Sequence, residues 1–146
     1  MLMATHISKS PEETFALGEQ WGRAAQRGWV IGLSGDLGAG KTQLVKGLAH
    51  GLGVTARVHS PTFGLINEYG GGRLRLFHLD LYRLNSREEV FDAGLEEYLT
   101  NPDGIAVVEW IERWGESPNL PGLTRLVRLE TLSEQERCIT YEDSGA

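Results

Sequence analysis

The run Gly35-Asp36-Leu37-Gly38-Ala39-Gly40-Lys41-Thr42 constrains this chain more than any other feature. It satisfies Gly-x-x-x-x-Gly-Lys-Thr, a pattern that needs a strand before it and a helix after it. Both flanks are present. Trp29 to Ser34 is a short apolar run with two β-branched residues and predicts a buried strand. Lys41 to Leu52 carries Leu44, Val45 and Leu48 on one helical face, and Gly53 supplies the stop. Glycines let the backbone curl so that successive N–H groups, here along Gly35, Gly38, Ala39 and Gly40, face an anion. The N-terminus of the following helix adds its positive dipole end. In such a loop the lysine, Lys41, reaches the β- and γ-phosphates and the hydroxyl of Thr42 ligates Mg²⁺. A glycine-rich turn with a chance lysine would need neither flank, so pattern and context together predict a nucleotide site.

A phosphate loop of this kind also uses an acidic residue at the end of a neighbouring strand to hold the metal. Two positions qualify. Glu109 ends the apolar run Ile105-Ala106-Val107-Val108, which reads as a central strand. Asp80 ends Leu74 to Leu79, where Arg73 and Arg75 alternate with apolar residues and suggest a strand with one open face. On that basis the metal role goes to Glu109. Ser60-Pro61-Thr62-Phe63 lies in the loop after the helix, where Thr62 could act as a switch residue touching metal or γ-phosphate. His59 and His78 have no Cys or Asp at ligand spacing, so neither predicts a metal site of its own. Trp110 and Trp114 read as buried or half-buried aromatics, and Cys138 as a core residue in an apolar strand.

The remaining pattern predicts one α/β domain spanning residues 1–146. Ser10, Pro11 and Glu13 form a helix start ahead of Phe15, Leu17, Trp21 and Ala25. Phe63–Tyr69 and Arg73–Leu79 form a hairpin across Gly70-Gly71-Gly72. Ser86 with Glu89 opens one helix running to about Leu99. Leu126–Leu132 and Arg137–Tyr141 pair across Ser133-Glu134-Gln135. Strands alternate with helices early and hairpins dominate later, which predicts a P-loop NTPase-like mixed sheet: a parallel core flanked by helices, with antiparallel hairpin strands.

A net charge of −6 with only three lysines argues against gripping nucleic acid unaided, because phosphate neutralisation dominates that affinity. No stretch approaches the roughly 20 apolar residues of a membrane span. Met1 to Pro11 lacks the apolar centre of a signal peptide. One cysteine cannot form an internal disulfide and suits a reducing compartment. The expectation is a cytoplasmic protein, monomeric or weakly oligomeric alone.

Five pieces in order resemble the TsaE (YjeE) family of small bacterial ATPases in the biosynthesis of threonylcarbamoyladenosine in tRNA. They are the phosphate-loop run, Ser60-Pro61-Thr62-Phe63, His78-Leu79-Asp80-Leu81-Tyr82-Arg83-Leu84, the helix from Glu88 to Tyr98, and Val108-Glu109-Trp110. The resemblance covers about Ser10 to Tyr141. It implies that Lys41 and Thr42 bind phosphate and Mg²⁺, that Glu109 is the metal-associated glutamate, and that Asp80 is tied to hydrolysis. It further implies that Thr62 is switch-like and that Pro11 lies near the adenine of ATP. The family acts with a TsaD–TsaB transferase pair, so tRNA would be met only through that complex. Many members place a second hydroxyl residue after the motif threonine. Here Gln43 stands there, and its backbone N–H can still face the α-phosphate.

These readings predict a slow Mg-dependent ATPase with Asp80 or Glu109 orienting the attacking water. Arg83 is the arginine nearest in sequence to either carboxylate. The rival is a small-molecule kinase, which would need Ser86–Gly104 to supply both an acceptor pocket and a lid. A module that binds ATP without hydrolysing it would need only one metal anchor. A GTPase would need an Asn-Lys-x-Asp motif, which the chain lacks.

Overall fold

Val30, Ile31 and Leu33 lie fully buried at the middle of one sheet, because strand β2 (Val30–Gly35) takes a parallel neighbour on each side. The computed structural model describes residues 2–35, 39–59, 65–114 and 122–143. The other strands are β1 (Leu2–Ser8), β3 (Ile66–Tyr69), β4 (Leu76–Asp80), β5 (Ile105–Glu109), β6 (Arg125–Thr131) and β7 (Arg137–Asp143). Their order is β1-β7-β6-β2-β5-β4-β3. The four strands β6, β2, β5 and β4 form the parallel core. The β6–β7 and β3–β4 hairpins and strand β1 add antiparallel pairs at the two edges. This is the mixed sheet that the order of elements predicts.

Strands β2, β4 and β5 are largely apolar on both faces because helices cover both. Helices α1 (Pro11–Ala24) and α2 (Lys41–Gly51) lie on one face with Ile31, Leu33, Leu76, Ile105 and Val107. Short helices α3 (Arg87–Asp92) and α4 (Glu96–Thr100) cover the other, with Val30, Phe77, Leu79, Ala106 and Val108. Ser10 caps α1, its side chain accepting from the Glu13 amide at 3.2 Å, and Pro11 occupies the first turn.

Helices α1 and α2 run parallel and touch backbone to backbone. A Cβ added at Gly18 would lie 2.2 Å from the Leu44 carbonyl oxygen, and one at Gly47 would lie 2.0 Å from that of Phe15. Gly22 and Gly51 make equally close approaches to Leu48 and Glu19. The glycines at i and i+4 on each helix set its depth against the other, so the two N-termini emerge side by side.

Three expectations need correction, and one strand was not foreseen. Strand β4 has no open face: Leu76, Phe77, His78 and Leu79 are all buried. Arg73 and Arg75 precede the strand, and Arg73 donates to the carbonyls of Gly22 and Ala25, each at 2.8 Å, tying down the end of α1. The single helix expected over Ser86–Leu99 is two, broken at Gly94, whose φ of +78° ends α3. Cys138 is only half-buried, since Ile139 is the residue of β7 that faces the helices. Strand β1 has no counterpart in the sequence reading. Its outward residues Met3 and Ile7 are 65% and 46% exposed while Ala4, His6 and Ser8 point inward, the reverse of the alternation that announces a strand.

Candidate functional site

Side-chain parity puts three polar groups on one face. In β4, Leu76, His78 and Asp80 point the same way; in β5, Ile105, Val107 and Glu109 do. Leu76, Ile105 and Val107 pack with Leu44 and Leu48 of α2, so His78, Asp80 and Glu109 also face that helix. The parallel register sets Asp80 beside Glu109, and Glu109 beside Leu33. The carboxylates therefore sit together at the carboxyl ends of the central strands, where open α/β sheets place ligands.

Lys41 opens α2 at the same end and is only 5% exposed. Its ammonium donates to the Gly35 carbonyl at 2.5 Å and lies 3.9 Å from the centroid of the Trp110 ring. Glu109 is 4% exposed, and His78 is fully buried; Nε2 of His78 donates to Oε2 of Glu109 at 2.5 Å. The Asp80 carboxylate accepts from the Tyr82 amide at 2.9 Å. Burial pushes the Asp80 carboxyl above its ordinary value. The Tyr82 bond opposes this, the Glu109 charge adds to it, and His78 and Lys41 work against it.

Gly40 precedes α2 at φ +93°, a left-handed conformation that lets the chain turn sharply into the helix. Gly35 ends β2 where a Cβ would lie 2.4 Å from the Leu129 carbonyl oxygen, so the strand end can approach β6 only as glycine. Ala39 is buried and Thr42 half-buried. The Gln43 amide donates to the Pro11 carbonyl at 3.3 Å, joining the starts of α2 and α1. Beside them is a pocket of about 220 Å³ lined by Pro11, Thr14, Gly40, Gln43, Gln135 and Arg137.

Among the sequence-predicted residues, Pro11, Gly35, Ala39, Gly40, Lys41, Thr42, Gln43, Asp80 and Glu109 come to one end of the sheet. Gly38 and Thr62 lie outside the described residues, as do Asp36, Leu37, Pro61 and Phe63. Arg83 is exposed. Sequence reasoning missed three neighbours. His78 was available as the residue two before Asp80, on the same face of a strand. Gln135 and Arg137 had no local signal, because the β6–β7 hairpin reaches the pocket only through folding. Nη1 of Arg137 donates to the carbonyls of Ser133, Glu134 and Glu136 at 2.8, 3.3 and 2.9 Å, which ties this arginine to the hairpin turn.

Comparison with known proteins meets this geometry. The family model for threonylcarbamoyl adenosine biosynthesis protein TsaE matches residues 8–139. The chain belongs to the TsaE family. It is 42% identical over 136 residues to the tRNA threonylcarbamoyladenosine biosynthesis protein TsaE of Bacillus subtilis, covering 93% of this chain and 83% of that one. It is 43% identical over 134 residues to the protein of the same name from Treponema pallidum, covering 92% and 96%. The crystal structure of Bacillus subtilis YdiB superposes with a TM-score of 0.79 at 35% identity, covering 99% of this chain and 87% of that one.

This TsaE-family site also limits how a metal could be held. No group of three or more His, Cys, Asp or Glu side chains is arranged to hold a metal among the described residues. A hydroxyl at Thr42 and one or two carboxylates suit Mg²⁺, which takes its remaining oxygens from water and substrate phosphates. These residues fit Mg²⁺ only as an ion that brings most of its other ligands with it. Among the described residues no helix is long and apolar enough to cross a membrane.

Proposed function

We propose that this protein is a Mg-dependent ATPase that supports a TsaD–TsaB type transferase pair in forming threonylcarbamoyladenosine in tRNA. One observation carries the reading. Lys41, at the start of α2, is buried with Glu109 beside the half-buried Asp80 at one end of the sheet, while Gly40, just before the helix, lines a pocket. That combination suits an anion bearing several charges with a planar group attached.

The residues divide the work by position. Backbone N–H groups of Ala39, Gly40, Lys41, Thr42 and Gln43 and the α2 dipole bind the phosphates. Lys41 leaves the Gly35 carbonyl and Trp110 to meet the β- and γ-oxygens. Thr42 and Glu109 would hold the metal, which when bound neutralises charge developing on the γ-phosphate. Asp80 has one oxygen held by the Tyr82 amide. Its other oxygen accepts from the attacking water and orients it in line. The pocket beside Pro11 takes the base. With Arg137 tied to its hairpin turn, turnover is slow alone, and a partner supplies the remaining stabilisation.

Hydrolysis of ATP by the pure protein, alone and with a TsaD–TsaB pair, tests this reading. Slow release of phosphate that the pair accelerates, and that Lys41→Ala or Glu109→Ala reduces by at least about 100-fold, is the expected result. Phosphate transfer to an added small molecule, with no effect of the pair, would overturn it.

A further inference from the structure

We infer that His78 is the positioning residue for Glu109, fixing its carboxylate in the one orientation that serves Mg-nucleotide; this rests on the ATPase reading above. The geometry is unusually closed. The His78 ring is 0% and the Glu109 side chain 5% exposed, and Nε2 and Oε2 are 2.5 Å apart. A glutamate has three rotatable bonds, and a free side chain at a strand end samples several rotamers. The bond from Nε2 occupies Oε2 and leaves Oε1 as the oxygen for another ligand. Charge-assisted bonds of this length also hold direction.

A packing role alone does not account for the pair. Two polar side chains buried together cost desolvation, and an apolar pair of similar volume often serves stability equally well. Nδ1 of His78 is also buried and finds no hydrogen-bond partner among the described residues. The ring is thus satisfied on one side only, the side that faces Glu109. Its placement follows from the register. His78 sits opposite Val107, two residues back from the Asp80–Glu109 pair and on the same face, so its ring meets Glu109 from within the sheet and leaves the strand end to Asp80. Carboxylate ligands of metals commonly need such a fixed partner, and its loss costs about 10- to 100-fold in metal affinity or activity.

Two substitutions separate positioning from bulk. His78→Gln keeps an N–H donor at similar reach, whereas His78→Leu keeps volume and removes the donor. Mn²⁺ affinity is read by electron paramagnetic resonance with a non-hydrolysable ATP analogue, beside kcat and KM for Mg-ATP and a melting curve. The expected result for His78→Leu is Mn²⁺ affinity and kcat reduced about 10-fold or more, with analogue binding in metal-free buffer unchanged. His78→Gln recovers most of both. In a Glu109→Gln background His78→Leu adds little, because the two act as one unit. A folded His78→Leu with unaltered Mn²⁺ affinity and kcat would overturn the inference. So would equal losses in His78→Leu and His78→Gln, or a full loss in the Glu109→Gln background when the single variant folds poorly. If the unsubstituted protein neither hydrolyses ATP nor binds Mn²⁺ with the analogue, the ATPase reading fails, and this inference with it.

Discussion

The Lys41 ammonium lies 3.9 Å from the centroid of the Trp110 ring, and Trp110 is the one non-glycine residue at positive φ among the described residues, with φ 61° and ψ 45°. A left-handed conformation costs an L-residue roughly 1–2 kcal/mol. It turns the chain sharply after Glu109 and sets the ring between Lys41 and Tyr82. A cation over an indole face recovers about 0.5–2 kcal/mol, more when desolvated. The Lys41 charge is thus held on an aromatic surface, and on the ATPase reading proposed above phosphate would take its place.

Nucleotide binding should therefore change tryptophan emission. Adding ATP is expected to shift the fluorescence as Lys41 leaves the ring, with Trp110→Phe losing most of the change and Lys41→Ala showing none. An undiminished change in Trp110→Phe would place its source at Trp21, Trp29 or Trp114 instead.

Asp80 should make the empty site less stable at neutral pH. Its folded carboxyl binds a proton more tightly than the ordinary 3.8, chiefly through burial. A raised acid contributes stability that is complete below the unfolded value and is lost as pH rises through the folded one. Without nucleotide, Asp80→Asn is expected to melt above the unsubstituted protein at pH 7. That gap should close as the pH falls toward 3.8, while hydrolysis is lost throughout. Equal or lower melting at pH 7 would show that the Tyr82 bond, with His78 and Lys41, outweighs burial.

The contact between α1 and α2 should tolerate no side chain. Gly47→Ala puts a methyl 2.0 Å from the Phe15 carbonyl oxygen, and this neighbour is backbone that cannot swing aside. The helices must separate, at a cost of about 1–3 kcal/mol against a propensity gain of about 1. Nucleotide affinity should fall as well, because Pro11 and Gln43 part. Urea unfolding and nucleotide titration check both. An alanine variant as stable as the parent would mean the helix pair has slack.

Arg125 should not be replaceable by lysine. It grips the Asp143 carboxylate through Nε at 2.5 Å and Nη2 at 3.0 Å. Its guanidinium also lies 4.8 Å from the rings of both Trp21 and Tyr141. A planar fork that stacks and bonds in two directions has no equivalent in an ammonium. Arg125→Lys is expected to lower stability by about 1–2 kcal/mol, since Asp143 is partly exposed and solvent screens its share. A loss no larger than that of an exposed pair, such as Arg27 with Asp103, would reduce the cluster to surface charge.

Much of the fold was legible because its signals are local. Ser10, Pro11 and Glu13 announce α1 by caps and backbone preference. The Gly-Gly-Gly turn joins β3 to β4, and the apolar run before Gly35 admits little but a buried strand. The failures were also local in origin. Arg73 and Arg75 mimic an open strand face although they belong to the approach into β4, and Arg73 serves a helix end 48 residues or more away. Gly94 divides a segment whose capping box predicts one helix. Strand β1 forms because β7 offers it an edge, with its larger apolar residues turned outward.

By itself the sequence determined that a Gly-x-x-x-x-Gly-Lys-Thr run stands between a buried strand and a helix, and that two carboxylates end neighbouring apolar runs. Backbone geometry and side-chain period are properties of consecutive residues, so spacing is enough to read them. Only the tertiary structure decided that Asp80 and Glu109 stand side by side, that His78 holds Glu109 from beneath, and that Gln135 and Arg137 wall the pocket beside Gly40. Those relations depend on which strands pair, in what register, and how closely α1 lies on α2. Such pairings are settled by burying both faces of one sheet at once, and no stretch of consecutive residues encodes them.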